Sequence, residues 1–177
     1  MEILDICDEF GNPTGKVEDR EIIHQEGLLH RTAHVWLLRK KNNQIEILLQ
    51  KRSDAKDSFP GCYDISSAGH IPAGDGYFKS AKRELKEELG VEIDENELID
   101  CGNRRFHFEE VFHGKLFKDN QISKIFVLWK DLEEKDFVFE DHEVSEVIWM
   151  EFEKCYQAVK NDTINHCIYL EDRKSVV

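Results

Sequence analysis

The sequence contains few of the residues that interrupt regular structure, with three prolines and ten glycines among 177 residues. Hydrophobic residues make up 40% of the chain and include 11 phenylalanines, enough apolar material for a sizeable core. These proportions exclude collagen-like, low-complexity and disordered classes. We therefore expect a globular protein with a single domain over residues 1–177.

Long hydrophobic runs are also lacking. The longest uninterrupted apolar stretch covers residues 125–129, whereas a bilayer-spanning helix needs roughly 18 apolar residues. The N-terminal sequence MEILDICDEF is acidic, unlike a secretory signal, which is basic and then apolar. The sequence predicts neither membrane association nor export.

The five cysteines form no motif for metal or redox chemistry. They are scattered, odd in number and never paired as CxxC. This pattern argues against a disulfide framework and a zinc site, and it favours a reduced, cytoplasmic setting.

Positive charge is in deficit. The chain has 24 Lys and Arg against 37 Asp and Glu, a formal net charge of −13. Because the summed field repels polyanions, we expect no duplex nucleic acid and no anionic membrane as partner. A small anion that arrives together with a cation is compatible with this charge.

Strand-like and helix-like segments alternate irregularly. Residues 1–28 predict a hairpin followed by a short helix, and residues 152–177 predict a C-terminal helix, over residues 152–160, with a tail. A longer amphipathic helix is predicted over residues 77–89. Strands are predicted over residues 32–39, 45–51, 64–68, 105–112, 122–129 and 144–150. This order predicts an α/β or α+β sandwich.

The predicted helix at residues 77–89 separates its charges by sign. On a wheel of about 100° per residue, its basic residues border one side of the apolar face, and Glu84, Glu87 and Glu88 border the other. Like charges one turn apart cost about 0.2–0.5 kcal/mol per pair, so the acidic stripe should be compensated. Closely spaced carboxylates suit Mg²⁺, whereas a solvated acidic face is the alternative.

The surrounding spacing resembles the Nudix box, G-x5-E-x7-R-E-U-x-E-E-x-G-U with U aliphatic. Residues 69–91, GHIPAGDGYFKSAKRELKEELGV, match it except at Asp75, where the motif has the longer Glu. Flanking segments extend the resemblance over most of the chain. They resemble a bacterial Nudix subgroup that is related in sequence to isopentenyl-diphosphate isomerase.

The resemblance implies an α/β/α sandwich with a mixed sheet, in which residues 69–91 form loop, helix and loop. It implies hydrolysis of a diphosphate linkage in a nucleoside diphosphate derivative or similar small organic diphosphate. The enzyme would use Mg²⁺, or Mn²⁺ in its place, and would be a monomer or homodimer. Glu84, Glu87 and Glu88 would hold the metal, and Glu84 or Glu87 would orient or deprotonate the attacking water.

The resemblance also assigns roles to other residues. Arg52 and Lys56 stand where the isomerase branch places cations that bind diphosphate, and surface cations in an exposed loop are the alternative. Gly69 is placed at the substrate and is expected to allow a tight turn. Within the box, structural roles fall to Arg83, which should pair with a carboxylate, and to Asp75 and Gly90.

Two alternatives to a hydrolase follow from the same resemblance. The isomerase needs an acid and a base across a double bond, but this chain has Ala68 and Gln121 at the aligned positions, and neither can transfer the proton. A catalytically silent nucleotide-binding module would be expected to lose box carboxylates, and this chain keeps three of the four in type. The sequence therefore ranks the hydrolase above the module and the module above the isomerase.

Several further side chains have two interpretations. His30 and His70 fit, and His24 lies near, positions of a metal site in the isomerase branch, with Asp119 in place of a Glu, but local hydrogen bonding is favoured. His34 is expected in the core or at an edge. Phe106, Phe108 and Phe112 could stack on a base, although core packing is favoured. The acidic residues Glu140, Asp141, Glu143 and Glu146 could supply a ligand or base, or form a solvated loop.

Overall fold

A mixed seven-stranded sheet lies between two amphipathic helices. The computed structural model describes residues 1–140 and 142–170. Its strands are β1 (Ile3–Cys7), β2 (Pro13–Asp19), β3 (His30–Lys41), β4 (Gln44–Arg52), β5 (Tyr63–Asp64), β6 (Ser67–His70), β7 (Leu98–Phe112), β8 (Lys115–Trp129) and β9 (Val144–Glu151). The helices are α1 (Arg20–Glu26), α2 (Tyr77–Leu89) and α3 (Phe152–Lys160). In this described part of the chain, no helix is long and apolar enough to span a bilayer.

Strand β3 is central to the sheet. One of its edges pairs in parallel with β8, and the other pairs antiparallel with β6 and then with β4. Strand β8 continues the sheet through a long antiparallel hairpin to β7, while β4 also pairs with β5 and β9. The mixed α+β fold predicted from the resemblance is confirmed.

Side chains of β3 alternate between two layers, as strand geometry requires. Trp36 and Leu38 pack on the α3 side, so Thr32 and His34 share that face of the sheet. The α3 layer also contains Ile47, Leu49, Ile65, Cys155 and Val159. The α2 layer contains Ala33, Val35, Leu37, Ala81, Leu85 and Leu89.

The N-terminal hairpin β1–β2 forms a separate two-stranded sheet and is tied to the box loop by a buried ion pair. Arg31 Nη2 lies 2.9 Å from Asp5 Oδ2 and donates a second hydrogen bond of 3.0 Å to the Asp75 carbonyl. Asp5 also accepts a bond of 2.9 Å from the Gly74 amide. The hairpin thus fixes the loop that precedes α2.

The predicted bounds of α2 and α3 are those observed, but the predicted strand at residues 64–68 is two strands, β5 and β6. Ser66 separates them. Its Oγ accepts the Leu37 amide at 2.8 Å and donates to the Leu48 carbonyl at 2.6 Å, where β3 and β4 diverge. The chain changes partner at this point, since β5 pairs with β4 and β6 pairs with β3.

Helix α2 ends at Gly90, which has a left-handed φ of 69° and donates its amide to the carbonyls of Leu85 and Lys86. A Cβ there would lie 2.8 Å from Val138 Cβ. We expect Gly90→Ala to lower the free energy of unfolding by about 2–4 kcal/mol, because strain and collision add. Gly114, with φ 76° and open space around it, is the matched control.

Chemical denaturation of both variants measures this difference. Gly114→Ala should cost about 1–2 kcal/mol from conformation alone. Equal losses in the two variants would show that the Val138 contact contributes nothing.

Candidate functional site

A cleft of about 420 Å³ opens on the α3 side of the sheet. Its floor follows the strand register, which places Thr32 of β3 beside Ser123 of β8, and Ser123 beside Arg104 of β7. Around this floor lie the box residues Gly69, Arg83, Glu84 and Glu87, the cations Arg52 and Lys56, and the aromatic residues Phe59, Phe106, Phe108, Phe117 and Tyr169. The fold therefore joins acidic, basic and aromatic groups around one cavity.

Glu84 reaches the cleft by passing directly over β6. A Cβ at Gly69 would lie 2.2 Å from Glu84 Cδ and 2.4 Å from its Oε1. The expectation that Gly69 allows a tight turn is wrong, because Gly69 lies within β6, pairs with Ala33 and is not in the left-handed region. The position requires glycine because the carboxyl group occupies the space of a side chain.

Burial controls the charge of Glu84. It raises the pKa of this carboxyl to about 7, against the opposing effect of the neighbouring Arg83. Arg83 Nη2 lies 2.5 Å from Glu84 Oε1 and also donates to the His70 carbonyl at 3.3 Å. A carboxyl group with a pKa near neutrality is suited to accept and release a proton.

Glu88 lies in a different environment from the other two box glutamates. It is 4% exposed, and its Oε2 accepts hydrogen bonds of 3.2 Å from Gln50 Nε2 and from the Ala68 amide. Burial raises the pKa of Glu88 to about 8. Glu87, in contrast, lines the cleft beside Glu84.

The carboxylates of Glu84 and Glu87 fit a hard cation by their chemistry. They are oxygen donors one helical turn apart at the wall of the cleft, the donor type on which Mg²⁺ sites are built. Metal binding by Glu84, Glu87 and Glu88 stays a prediction.

The two predicted substrate cations both line the cleft but have protein partners. Arg52 donates to the Ser58 carbonyl at 2.9 Å and to Asp64 Oδ2 at 3.1 Å, which holds the loop before β5. Lys56 pairs with Glu143. Substrate binding by Arg52 and Lys56 stays a prediction.

Asp75 of the box and Glu146 of the late acidic segment each bind another side chain of the protein. Asp75 Oδ1 pairs with Lys79 at 2.6 Å, one turn into α2. Glu146 accepts a hydrogen bond of 2.6 Å from the Tyr63 hydroxyl. Asp141 lies outside the described residues.

Three histidines meet beside the cleft, which His24 and His70 line while His30 is fully buried behind them. His24 of α1, His30 of β3 and His70 of β6 each place a ring nitrogen within 4.8 Å of the others. Asp119 Oδ1 lies 3.6 Å from His30 Nε2 and 3.9 Å from His24 Nε2. The Nδ1 atoms of His24 and His30 contact the Arg20 and Leu28 carbonyls, so both Nε2 atoms face the cluster.

Burial disfavours charge on this cluster and keeps His24 and His30 neutral at neutral pH. It lowers the pKa of His24 to about 3 and that of His30 to about 4, and it raises the pKa of Asp119 to about 7. Within the described residues, His30 Nε2 and Asp119 Oδ1 have no hydrogen-bond partner. The Nε2 atoms of His24 and His70 lie 3.4 Å apart, and neutral imidazoles so arranged could hold a divalent cation.

The prediction that the phenylalanines fill the core is wrong for Phe106 and Phe108. Both point from β7 into the cleft and lie outside the two core clusters. Phe112 packs against Phe59, with ring centroids 5.0 Å apart. Sequence reasoning missed Phe59 and Tyr169, which come from irregular segments where no periodicity marks the buried face.

His34 faces the cleft, where burial lowers its pKa to about 4. Its unfolded pKa is about 6.5, so the unfolded chain binds this proton first as pH falls. The contribution of neutral His34 to the free energy of unfolding is fully present above about pH 6.5 and is lost as the pH falls toward 4.

Between pH 6.5 and 4 the wild-type protein should lose free energy of unfolding because His34 titrates. We expect this loss to be smaller in His34→Gln by on the order of 2–3 kcal/mol. Urea denaturation across this range measures it in metal-free protein. His142→Gln, at an exposed position, is the control. Parallel stability curves for wild type and His34→Gln would contradict the assignment.

Comparison with known proteins agrees with this geometry. Residues 28–169 match the NUDIX domain family. Nudix hydrolase 3 of Arabidopsis thaliana is 38% identical over 157 residues, which cover 86% of this chain and 20% of that protein, so the chain spans a fifth of this relative. An uncharacterized Nudix hydrolase of Clostridium acetobutylicum is 32% identical over 160 residues, 90% of this chain and 75% of that protein.

A partial sequence match and two solved structures are also similar to this chain. Isopentenyl-diphosphate Delta-isomerase 1 of Mesocricetus auratus is 41% identical over 85 residues, 41% of this chain and 36% of that protein. A crystal structure from Deinococcus radiodurans superposes with a TM-score of 0.67 at 20% identity, covering 93% of this chain and 92% of the other. The NUDIX domain of Shewanella oneidensis NrtR, complexed with ADP ribose, gives 0.54 at 16% identity, covering 72% and 75%.

The structural similarities show only the fold, whereas the family match assigns the chain to a family. It covers the box helix, the strand that carries Gly69 and the floor of the cleft. The chain belongs to the Nudix family and is a Nudix-type hydrolase.

Proposed function

We propose that the protein is a metal-dependent hydrolase that cleaves a diphosphate linkage in a nucleoside diphosphate derivative or similar small organic diphosphate. The observation that carries the proposal is the placement of Glu84. Its carboxyl group lies against Gly69 at the cleft, with a pKa raised to about 7 by burial. The ADP ribose bound by the Shewanella domain supports this substrate class.

The residues of the cleft have separate roles in hydrolysis. The oxygen of a water molecule bonds to one phosphorus, the bridging P–O bond breaks, and the bridging oxygen leaves with the other phosphate. Glu84 accepts the proton of the water, and Arg83 holds the carboxylate in position. A Mg²⁺ or Mn²⁺ ion held by Glu84, Glu87 and Glu88 would neutralise part of the diphosphate charge.

The positive side of the cleft receives the substrate. Lys56 can exchange its contact with Glu143 for a phosphate oxygen, and Arg52 keeps the loop in place through Ser58. The isomerase alternative has no support at Ala68 and Gln121, because an alkyl group and an amide cannot move the required protons.

A substrate panel tests the proposal. Purified protein with Mg²⁺ or Mn²⁺ is incubated with nucleoside diphosphate and triphosphate derivatives and with isopentenyl diphosphate, and release of monophosphate or phosphate is followed. We expect turnover of at least one nucleoside diphosphate derivative, abolished by chelation. Turnover of no member, or conversion of isopentenyl to dimethylallyl diphosphate instead, would overturn the proposal.

The histidine cluster supports a second cation site within the same proposal. His30 Nε2 and Asp119 Oδ1 face each other at 3.6 Å, and no partner satisfies either atom in the described part of the chain. Calorimetric titration with Zn²⁺ and Mn²⁺ tests the site. His30→Gln should remove one bound equivalent that Glu84→Gln retains, and identical stoichiometry in both variants would exclude the cluster.

A further inference from the structure

The part of the cleft beyond the histidines is lined by aromatic rings. Phe106 and Phe108 lie side by side on β7, with ring centroids 6.2 Å apart and planes inclined by 17°. Tyr169 packs on both, at 5.2 and 5.5 Å, and Phe59 lies 5.6 Å from Phe108. Such ring faces favour a flat group in offset stacking.

A buried amide lies beside these rings. Gln121 of β8 is directly opposite Phe106 in the β7–β8 register, lines the cleft and is only 7% exposed. Among the described residues, its side chain makes no hydrogen bond. Gln121 is not among the buried polar atoms that lack a partner, so its amide reaches the solvent of the cleft, where a ligand can replace water as its hydrogen-bond partner.

The amide restricts the chemistry of that ligand. Gln121 offers an acceptor and donors from one planar group, which match a ring edge that carries a donor and an acceptor side by side. An alkyl or alkenyl chain would fill the aromatic pocket but leave the amide unpaired. The combination of stacking surface and planar amide therefore selects a heterocycle over a hydrocarbon.

We propose that this pocket, formed by Phe59, Phe106, Phe108, Tyr169 and Gln121, binds the heterocyclic base of the substrate, and that Gln121 determines specificity by bonding to the base edge. The inference rests on the proposed diphosphate hydrolase function and extends it to the organic group. Phe108 is the central stacking residue, since it contacts Phe59, Phe106 and Tyr169.

The strand order supports the spacing that such a substrate needs. Gln121 pairs with His30 on β3, and β3 pairs in turn with β6, which carries Gly69 beneath Glu84. Two strand spacings across the sheet and three residues along β3 therefore separate Gln121 from Gly69 at the reacting end, together roughly 14 Å. This separation accommodates a sugar between the base and the diphosphate.

Equilibrium binding to Glu84→Gln protein in Mg²⁺ tests the pocket without turnover. The probes are ADP, GDP, CDP, UDP, isopentenyl diphosphate and inorganic diphosphate. We expect at least one nucleoside diphosphate to bind tenfold or more tightly than inorganic diphosphate. Adding Gln121→Leu should weaken that nucleotide at least tenfold and leave inorganic diphosphate unchanged.

Phe108→Leu is the second variant, and thermal unfolding confirms that each variant is folded. Gln44→Leu and Phe152→Leu, at exposed positions, are the matched controls and should change no affinity. Equal binding of all the nucleotides and inorganic diphosphate would overturn the proposal. So would tighter binding of isopentenyl diphosphate, or unchanged nucleotide affinity in folded Gln121→Leu protein.

The hydrolase function is judged separately, by turnover in wild-type protein. A nucleotide that binds through Gln121 but is not hydrolysed would support the pocket and contradict the enzyme. Hydrolysis of nucleotides with different heterocyclic bases at equal rates would support the enzyme and contradict the pocket.

Discussion

Glu84→Gln is expected to lower kcat by about 100- to 10,000-fold, the range for loss of a general base. The amide cannot accept the proton of the attacking water, although it keeps the size of the side chain and its position against Gly69. The measurement is steady-state hydrolysis of the best substrate of the panel at saturating Mg²⁺. KM should change less than kcat, because the loss falls on the transition state.

Glu110→Gln, on the exposed side of β7, is the matched control and should retain full activity. A kcat for Glu84→Gln within threefold of wild type would show that this carboxyl group is not the base.

Gly69→Ala is expected to lower kcat by at least tenfold without a matching loss of stability. The added methyl group would lie 2.2 Å from Glu84 Cδ, so the carboxyl group must move away from its place at the cleft. Rotation of the Glu84 side chain relieves the collision at small cost to the fold, but misplacement of a reacting group is costly to catalysis.

A double-variant cycle separates this explanation from general damage to β6. If Gly69→Ala acts through Glu84, the combined variant should be no slower than Glu84→Gln alone. Gly76→Ala is the control, because Gly76 has open space and an ordinary φ. Fully additive losses would show that Gly69 acts through something other than Glu84.

The sequence predicts the elements of this fold well where one physical signal dominates. Helix α2 has an apolar stripe and a glycine that ends it, and its predicted bounds match the structure. Strand β7 begins at Leu98 rather than at residue 105, since a bulge between Asp100 and Asn103 interrupts its alternation. The predicted strand at residues 64–68 is divided because β5 pairs with β4 and β6 with β3, which are pairings between segments distant in sequence.

The box motif predicts which residues meet but not the environment of each. Helical spacing puts Glu84, Glu87 and Glu88 on one stripe, yet Glu88 is buried against Gln50 and Ala68. Only tertiary packing shows this, because Gln50 comes from β4 and carries no signal in the motif.

The distal part of the cleft shows the same limit. Phe106 and Phe108 alternate along a strand, so periodicity gives their shared face but not whether it meets a helix or a cavity. Their neighbours Phe59 and Tyr169 join them only through the folding of irregular segments. The histidine cluster combines α1, β3 and β6, and resemblance rather than spacing pointed to it.

Hydrolysis in water enriched in ¹⁸O tests the central claim most directly, that the protein uses water to break a diphosphate linkage. The best substrate of the panel is converted in the labelled water with Mg²⁺, and the products are analysed by ³¹P NMR and mass spectrometry. The account predicts one ¹⁸O atom in one of the two phosphate products, with Glu84→Gln lowering the rate of its incorporation. Unlabelled products, or a rearranged substrate with its diphosphate intact, would contradict it.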